Sequence, residues 1–410
     1  MIPELLCPAG SMESLKAALH FGADAVYGGM KRFGLRAFAG NFDETQLREA
    51  VALCHAAGKK FYLTMNVLPF DDQLADFVET ARIARAIGVD AAIVSDLGAI
   101  ATLREQVPEL PLHVSTQASC VNSAAAKEYR RMGCTRVILA RETSIERMAA
   151  MHEQLGDTLE LEAFVHGASC VAYSGRCLLS AVLTGRSGNQ GACAQPCRWQ
   201  YAVMERKRPG EYLPVCEDEN GTYIFSAKDL NLMPLLPELV RAGVVSLKIE
   251  GRMKTEYYVA TVTAAYRRGI DLLAQGEDVF RAALPALMTE LACASHRDSD
   301  TGFALDAPAQ PAGAEGFHQS REYVARVMED AHQPGEEARL MLKNRFHAGD
   351  ELELLTPSGV HRVIAQPFLR EKTGERMDTL GVAGEYIRMR LPDGALAGDI
   401  LRGPVRNHQI

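Results

Sequence analysis

Short apolar runs alternate with amphipathic stretches through roughly the first 275 residues. The runs predict strands at 3–9 (PELLCPA), 24–29 (DAVYGG), 60–67 (KFYLTMNV), 91–96 (AAIVSD), 111–117 (PLHVSTQ), 136–140 (RVILA), 159–167 (LELEAFVHG) and 245–251 (VSLKIEG). Helical periodicity between them predicts helices near 11–21, 44–57, 73–87, 122–132, 144–155, 232–242 and 255–275. Thr143 and Glu146 have the spacing of a capping box at the head of one of these. Strand followed by helix, with strands apolar on both faces, is the pattern of a parallel α/β fold. Eight candidate strands favour a closed (β/α)8 TIM-like barrel over an open sheet. No Gly-x-Gly-x-x-Gly follows the first strand, which argues against a dinucleotide fold, and Gly185, Gly188 and Gly191 read as turn residues.

The pattern changes towards the C-terminus. Residues 295–320 are rich in Ala, Gly, Pro and Asp and read as a linker. Beyond them YVARVMED, ARLMLKN, DELELLTP, EYIRMRLP and GDILRG alternate like short strands, predicting a small all-β barrel or sandwich. The expected organisation is a barrel domain over 1–294, carrying an insertion at 168–244 after strand seven, then the linker and an accessory domain over 321–410.

Polar residues gather at the predicted strand ends. Asn66, Asp96, Ser115 with Gln117, Arg141 with Glu142, and His166 fall at or just past the C-terminal ends of strands, where this architecture carries its chemistry, a helix cap or loop hydrogen bond being the alternative for Asp96 and His166. Lys248, Glu250 and Arg252 occupy alternate positions on the last strand and so share one face. Unpaired buried charges are costly, so either the three line a polar pocket, the reading favoured by the other polar strand ends, or the strand is shorter than 245–251.

Four of the ten cysteines cluster as Cys170, Cys177, Cys193 and Cys197, spaced Cys-x6-Cys-x15-Cys-x3-Cys in a Gly- and Ser-rich stretch that closes on the single tryptophan, Trp199. Structural zinc favours closely paired knuckles, so the wide spacings favour an iron–sulfur cluster over zinc, with plain thiols third. Cys7, Cys54, Cys120, Cys134 and Cys293 are scattered and read as buried thiols; Cys7 stands out for lying on a strand that leads towards the site.

The net charge of −8 argues against a broad nucleic-acid-binding coat. Arg198, Trp199, Gln200 and Tyr201, and Arg252, Lys254, Tyr257, Tyr258, Arg267 and Arg268, are the candidate stacking and phosphate-binding groups for single-stranded RNA. No apolar run is long enough for a membrane span and no signal pattern opens the chain, so a cytoplasmic protein with no membrane partner is expected. Peptidase signatures are weak: there is no Gly-x-Ser-x-Gly elbow, and position 156 is Gly where a His152–Glu153 zinc motif needs a second His.

The segments PELLCPAGSMESLKAALHFGADAVYGG, FGLRAFAGNF, HGASCVAYSGRCLLS, GACAQPCRW, SAKDL and SLKIEGRMKTEYYVATVTAAYR resemble the peptidase U32 (collagenase-like) family, and KNRFHAGDELELL resembles its accessory domain. The resemblance covers nearly the whole chain. It implies either a peptidase, as the family's name has it, or an oxygen-independent hydroxylase. One branch makes 5-hydroxyuridine at the tRNA wobble position with prephenate as hydroxyl donor, another hydroxylates a cytidine of 23S-type ribosomal RNA, and a third serves quinone synthesis. All carry a four-cysteine [4Fe–4S] cluster, which implies Cys170, Cys177 and Cys193 as ligands. Asn231 stands where the quinone branch has its fourth cysteine, which leaves Cys197 as the expected fourth ligand here, ahead of Cys216.

The tRNA branch is the nearest in pattern. The partners implied are a tRNA anticodon loop and prephenate, with an identical or paralogous second subunit left open. His166, Glu250, Lys248 and Arg252 are the expected catalytic residues. Arg141, Asn66, Gln117, Lys228 and Trp199 are expected to bind substrate.

Overall fold

Eight short strands, each buried at all but one or two positions at most, are stable only where both faces are covered, and the chain solves this by closing them into a ring under helices. The computed structural model describes residues 2–36, 39–170, 177, 179–199, 216–218, 221–223, 228–305, 317–333, 335–391 and 394–406. The barrel strands are β1 (Glu4–Pro8), β2 (Ala25–Gly29), β3 (Lys60–Met65), β4 (Ala91–Val94), β5 (Leu112–Val114), β6 (Arg136–Ile138), β7 (Glu160–Ala168) and β8 (Val244–Ile249). Each pairs in parallel with the next, and β8 pairs with both β7 and β1 to close the ring.

Outside the cysteine segment, which carries a short helix at Leu179–Thr184, the described helices are α1 (Met12–His20), α2 (Glu44–Ala56), α3 (Leu74–Ile87), α4 (Leu97–Gln106), α5 (Ser123–Arg131), α6 (Ile145–Leu155), α7 (Leu236–Arg241), α8 (Glu256–Gln275) and α9 (Glu277–Leu291). Two of these nine were absent from the sequence pattern. α4 begins at Asp96, whose carboxylate accepts from the Ala99 N–H; the residue read as a pocket candidate is a helix cap. α9 follows α8 after one residue, Gly276, and packs back against it. The expected Thr143–Glu146 capping box does not form. Ser144 is the N-cap, without a side-chain hydrogen bond, and Thr143 is buried with its hydroxyl unpartnered among the described residues. Residues read as linker take part in the sheet: Ser299–Asp300 pairs with a short strand, Asp229–Asn231, that runs antiparallel to the end of β7.

The barrel interior is unusual in carrying a layer of charge. Glu4, Tyr62, Arg136, Glu162 and Ser246 face one another one layer below the C-terminal mouth. Arg136 bridges Glu4 (2.6 Å), Glu162 (3.1 Å) and Glu160 (2.7 Å), and Glu162 also accepts from Lys248 Nζ at 2.8 Å. Tyr62 and Ser246 donate to Glu4. Glu162 is fully buried, and among the described residues its desolvation is offset by these two cations.

The C-terminal domain is an eight-stranded antiparallel sheet with its own core around Leu340, Leu354, Phe368, Ile387 and Leu401. It docks on α1 and α8 through Phe21, Tyr257 and Ala260 against Leu355 and Ile400. Arg402, 2% exposed, spans the junction with a bidentate pair to Glu290 (2.5 and 2.8 Å) and a bond to Glu353 (2.9 Å). None of the described helices is long and apolar enough to cross a membrane.

Glu162→Ala should lower stability by about 3–5 kcal/mol, because it leaves Lys248 without a partner in the interior. The paired change Glu162→Leu with Lys248→Met should cost markedly less. Urea unfolding of the two variants checks the ordering; equal losses would mean that cavity formation, not charge, dominates.

Candidate active site

Above the charged layer, residues two positions further along several strands enclose a pocket of about 500 Å³ including its open mouth. Its wall takes Tyr27 from β2, Thr64 from β3, Ile93 from β4, Ile138 from β6, Phe164 from β7 and Lys248 from β8. Asn66, Ser115, Gln117, Arg141, Glu250 and Arg252 close it from just beyond the strand ends, and Arg36 reaches in from the loop after β2. Seven residues singled out in the sequence, namely Asn66, Ser115, Gln117, Arg141, Lys248, Glu250 and Arg252, therefore meet in one place. Of the last three only Lys248 lies on β8, which ends at Ile249; Glu250 and Arg252 enter from the turn that follows.

Cations dominate the pocket. Glu250 sits 3.5 Å from Arg36 and 3.9 Å from Arg141. Burial pushes the Glu250 carboxyl up, but Arg36, Arg141, Arg252 and Lys248 together outweigh it and hold it below its ordinary value. Lys248 is drawn down by burial against the pull of Glu162, and its ammonium lies 4.4 Å from the Tyr27 ring centroid. Three guanidinium groups thus surround one pocket carboxylate, while Lys248 is matched by Glu162 below.

The arginines are held differently. Arg252 is 4% exposed and burial lowers its pKa to about 10. It donates to Thr64 Oγ1 at 2.9 Å and to Asn41 Oδ1. Gly29 makes room for this guanidinium, since a Cβ there would strike Arg252 and Thr64. Arg141 lies 4.2 Å over the Phe164 ring. The Nε groups of Arg141 and Arg252 are buried without a partner among the described residues, so donors remain for an incoming acceptor.

His166 is a correction. β7 carries one extra residue against β8 at this point, since Lys248 faces Phe164 but Ile249 faces His166. The slip turns His166 out of the pocket and against α8, with its ring 5.4 Å from that of Tyr266 and its Nδ1 3.4 Å from the Tyr266 hydroxyl. Burial lowers its pKa to about 4. Cys7 likewise faces outwards, receiving a hydrogen bond from Thr263, and burial raises its thiol to about 12. Lys228 precedes the short strand and does not line the pocket; Trp199 is 44% exposed in the cysteine segment.

Among the RNA-binding candidates, Arg252, Tyr257 and Tyr258 are buried, and Arg267 is paired with Asp24 and Asp271. Lys254 donates to the Ser295 carbonyl, and Arg268 is exposed on α8. Gln200, Tyr201 and the Arg198 side chain lie outside the described residues.

Cys170 is exposed and Cys177, Cys193 and Cys197 are half-buried; the Cys216 side chain lies outside the described residues. Four accessible soft donors on one segment suit a thiolate-ligated iron–sulfur group chemically. Among the described residues, no three His, Cys, Asp or Glu side chains are gathered closely enough to hold a metal ion. The segment docks beside the pocket: the Gln190 amide donates to the Leu68 carbonyl, and Gly191 packs against the Gly34 carbonyl and Leu35. Cys170 and Cys193 lie near enough to Arg36 for thiolate charge to act on it.

Arg36 is the main residue that the sequence pattern missed. It lies on a loop rather than a strand, and its only sequence signal is the FGLRAFAGNF segment. Tyr27, Thr64, Phe164 and Glu162 were hidden because they read as ordinary strand positions.

The Peptidase family U32 model matches residues 10–313, and that of the Peptidase family U32 C-terminal domain matches residues 319–402. The chain belongs to peptidase family U32. It is 38% identical to "tRNA hydroxylation protein P" of Escherichia coli over 87% of each chain. It is 37% identical to the "23S rRNA 5-hydroxycytidine C2501 synthase" of the same organism, over 67% of this chain and 41% of that one. It is 35% identical to a "Collagenase" of Porphyromonas gingivalis, over 67% of this chain and 66% of that one.

The His166 position predicts a pH dependence. Its pKa is near 4 folded and near 6.5 unfolded, so below 6.5 the unfolded chain binds the extra proton. The stabilisation is complete above pH 6.5 and falls as pH drops towards 4, by up to about 3 kcal/mol. His166→Gln should flatten that part of a denaturation-versus-pH profile, while changing the pocket's ligand affinity little.

Proposed function

We propose that this U32 protein is a tRNA-modifying hydroxylase that forms 5-hydroxyuridine at the wobble position with prephenate as the hydroxyl donor. The observation that carries the reading is the ring of three guanidinium groups around a single carboxylate in a barrel-mouth pocket. Prephenate is a dicarboxylate, and arginine forks suit carboxylates. The tRNA part rests on the relatives whose names carry tRNA hydroxylation.

On this reading Arg141 and Arg252 take the donor's carboxylates on their free Nε faces, and Asn66 and Gln117 offer amides at the rim. Glu250, kept ionised by its neighbours, accepts a proton near the reacting atoms. Lys248 stays protonated against Glu162 and supplies positive charge from below. A [4Fe–4S] group held by Cys170, Cys177, Cys193 and Cys197 would supply Lewis-acid activation of the oxygen-bearing group. A Ser–His or Cys–His hydrolytic pair is not assembled among the described pocket residues, since His166 lies behind the wall and His113 below it.

Nucleoside mass spectrometry of tRNA and ribosomal RNA from cells lacking this gene and any paralogue tests the proposal. Loss of 5-hydroxyuridine derivatives, restored by the wild-type gene, is the expected result. Arg141→Ala should restore at most a tenth of the wild-type rate, the loss of a charge-assisted bond costing about tenfold or more. Unchanged tRNA with lost hydroxycytidine would move the target to ribosomal RNA, and unchanged RNA would overturn the reading.

A further inference from the structure

Arg36 stands between two sites that the sequence kept apart. On one side its guanidinium is 3.5 Å from Glu250 inside the pocket. On the other, the cysteine segment packs on the same loop, with Gly191 against Gly34 and Leu35, and Cys170 and Cys193 within reach of its charge. The loop is anchored rather than free. Asn41 donates to the Arg36 carbonyl at 2.9 Å while its Oδ1 accepts from Arg252, and the Leu35 N–H donates to Asn66. The side chain itself is 39% exposed, in contrast to buried Arg252. It is tethered at its backbone and loosely held at its tip.

A guanidinium 3.5 Å from a carboxylate makes a loose contact, short of the 2.7–2.9 Å of a good charge-assisted bond. Its fork is therefore available to a better-placed acceptor.

We propose that Arg36 is a positioning and specificity residue shared by the two sites: it closes over the carboxylate of an acidic ligand in the pocket and, by the same charge, couples that ligand's binding to the state of the cysteine segment. An anion entering the pocket takes over the Glu250 side of the fork. Negative charge gathered on the cysteine segment competes for the same cation. The two sites are thus linked through one side chain, and linkage is reciprocal. The inference rests on the reading of the pocket as an acid-binding site, but not on the identity of the acid or on RNA being the target.

The test is calorimetric titration of wild type, R36Q and R36K with succinate and, separately, with prephenate. Each protein is used metal-free and after anaerobic reconstitution with iron and sulfide, with iron content measured alongside. R36Q should weaken dicarboxylate binding about tenfold or more, with R36K partly restoring it because the charge returns without the fork. Reconstitution should change wild-type affinity severalfold and leave that of R36Q unchanged, while both variants load wild-type amounts of iron. Equal affinity of R36Q and wild type, or a reconstitution effect that persists in R36Q, overturns the inference. So does the failure of wild type to bind either acid. Arg36-dependent binding of succinate without binding of prephenate upholds the inference and overturns prephenate as the donor.

Discussion

The carboxylate of Glu162 is the point on which the barrel interior turns. It is wholly buried and holds Lys248 on one side and Arg136 on the other. A buried carboxylate is tolerated only with partners, and here the partners serve two ends of the barrel. Arg136 carries the network down to Glu4 and Glu160, while Lys248 carries it up to the pocket wall. Because Lys248 is matched from below, the arginines at the mouth are left with one carboxylate between them. The positive bias of the pocket is therefore set one layer beneath it.

That bias shapes the rest of the site. Glu250 remains ionised because its neighbours are cationic, and Arg252 remains aligned because Thr64 and Asn41 accept from it. Aromatic faces complete the arrangement, with Tyr27 under Lys248 and Phe164 under Arg141. Such faces exclude water yet still favour cations, so charge is strong where a ligand binds. The cysteine segment meets this pocket at its rim through contacts with the loops after β2 and β3.

The sequence was most legible where periodicity was strict. All eight barrel strands were marked by their apolar runs, and Lys248, Glu250 and Arg252 do meet in one pocket, although β8 ends at Ile249 and the last two arrive from the turn beyond it. It was least legible where a local irregularity changed the phase. The extra residue in β7 sends His166 to α8 instead of the pocket, and no feature of LELEAFVHG announces it. Asp96 had the right location for a pocket residue but caps α4 instead, a competition between roles that composition cannot resolve.

The sequence by itself determined the parallel α/β class, the family and the set of charged strand ends, because two-residue periodicity and long motifs are local properties of the chain. Only the tertiary structure decided which of those charges meet. It paired Lys248 with Glu162 across 86 residues, brought Arg36 from a loop to Glu250, and set the cysteine segment beside both. These are contacts between positions far apart in the chain, fixed by ring closure and loop packing, and no local pattern encodes them.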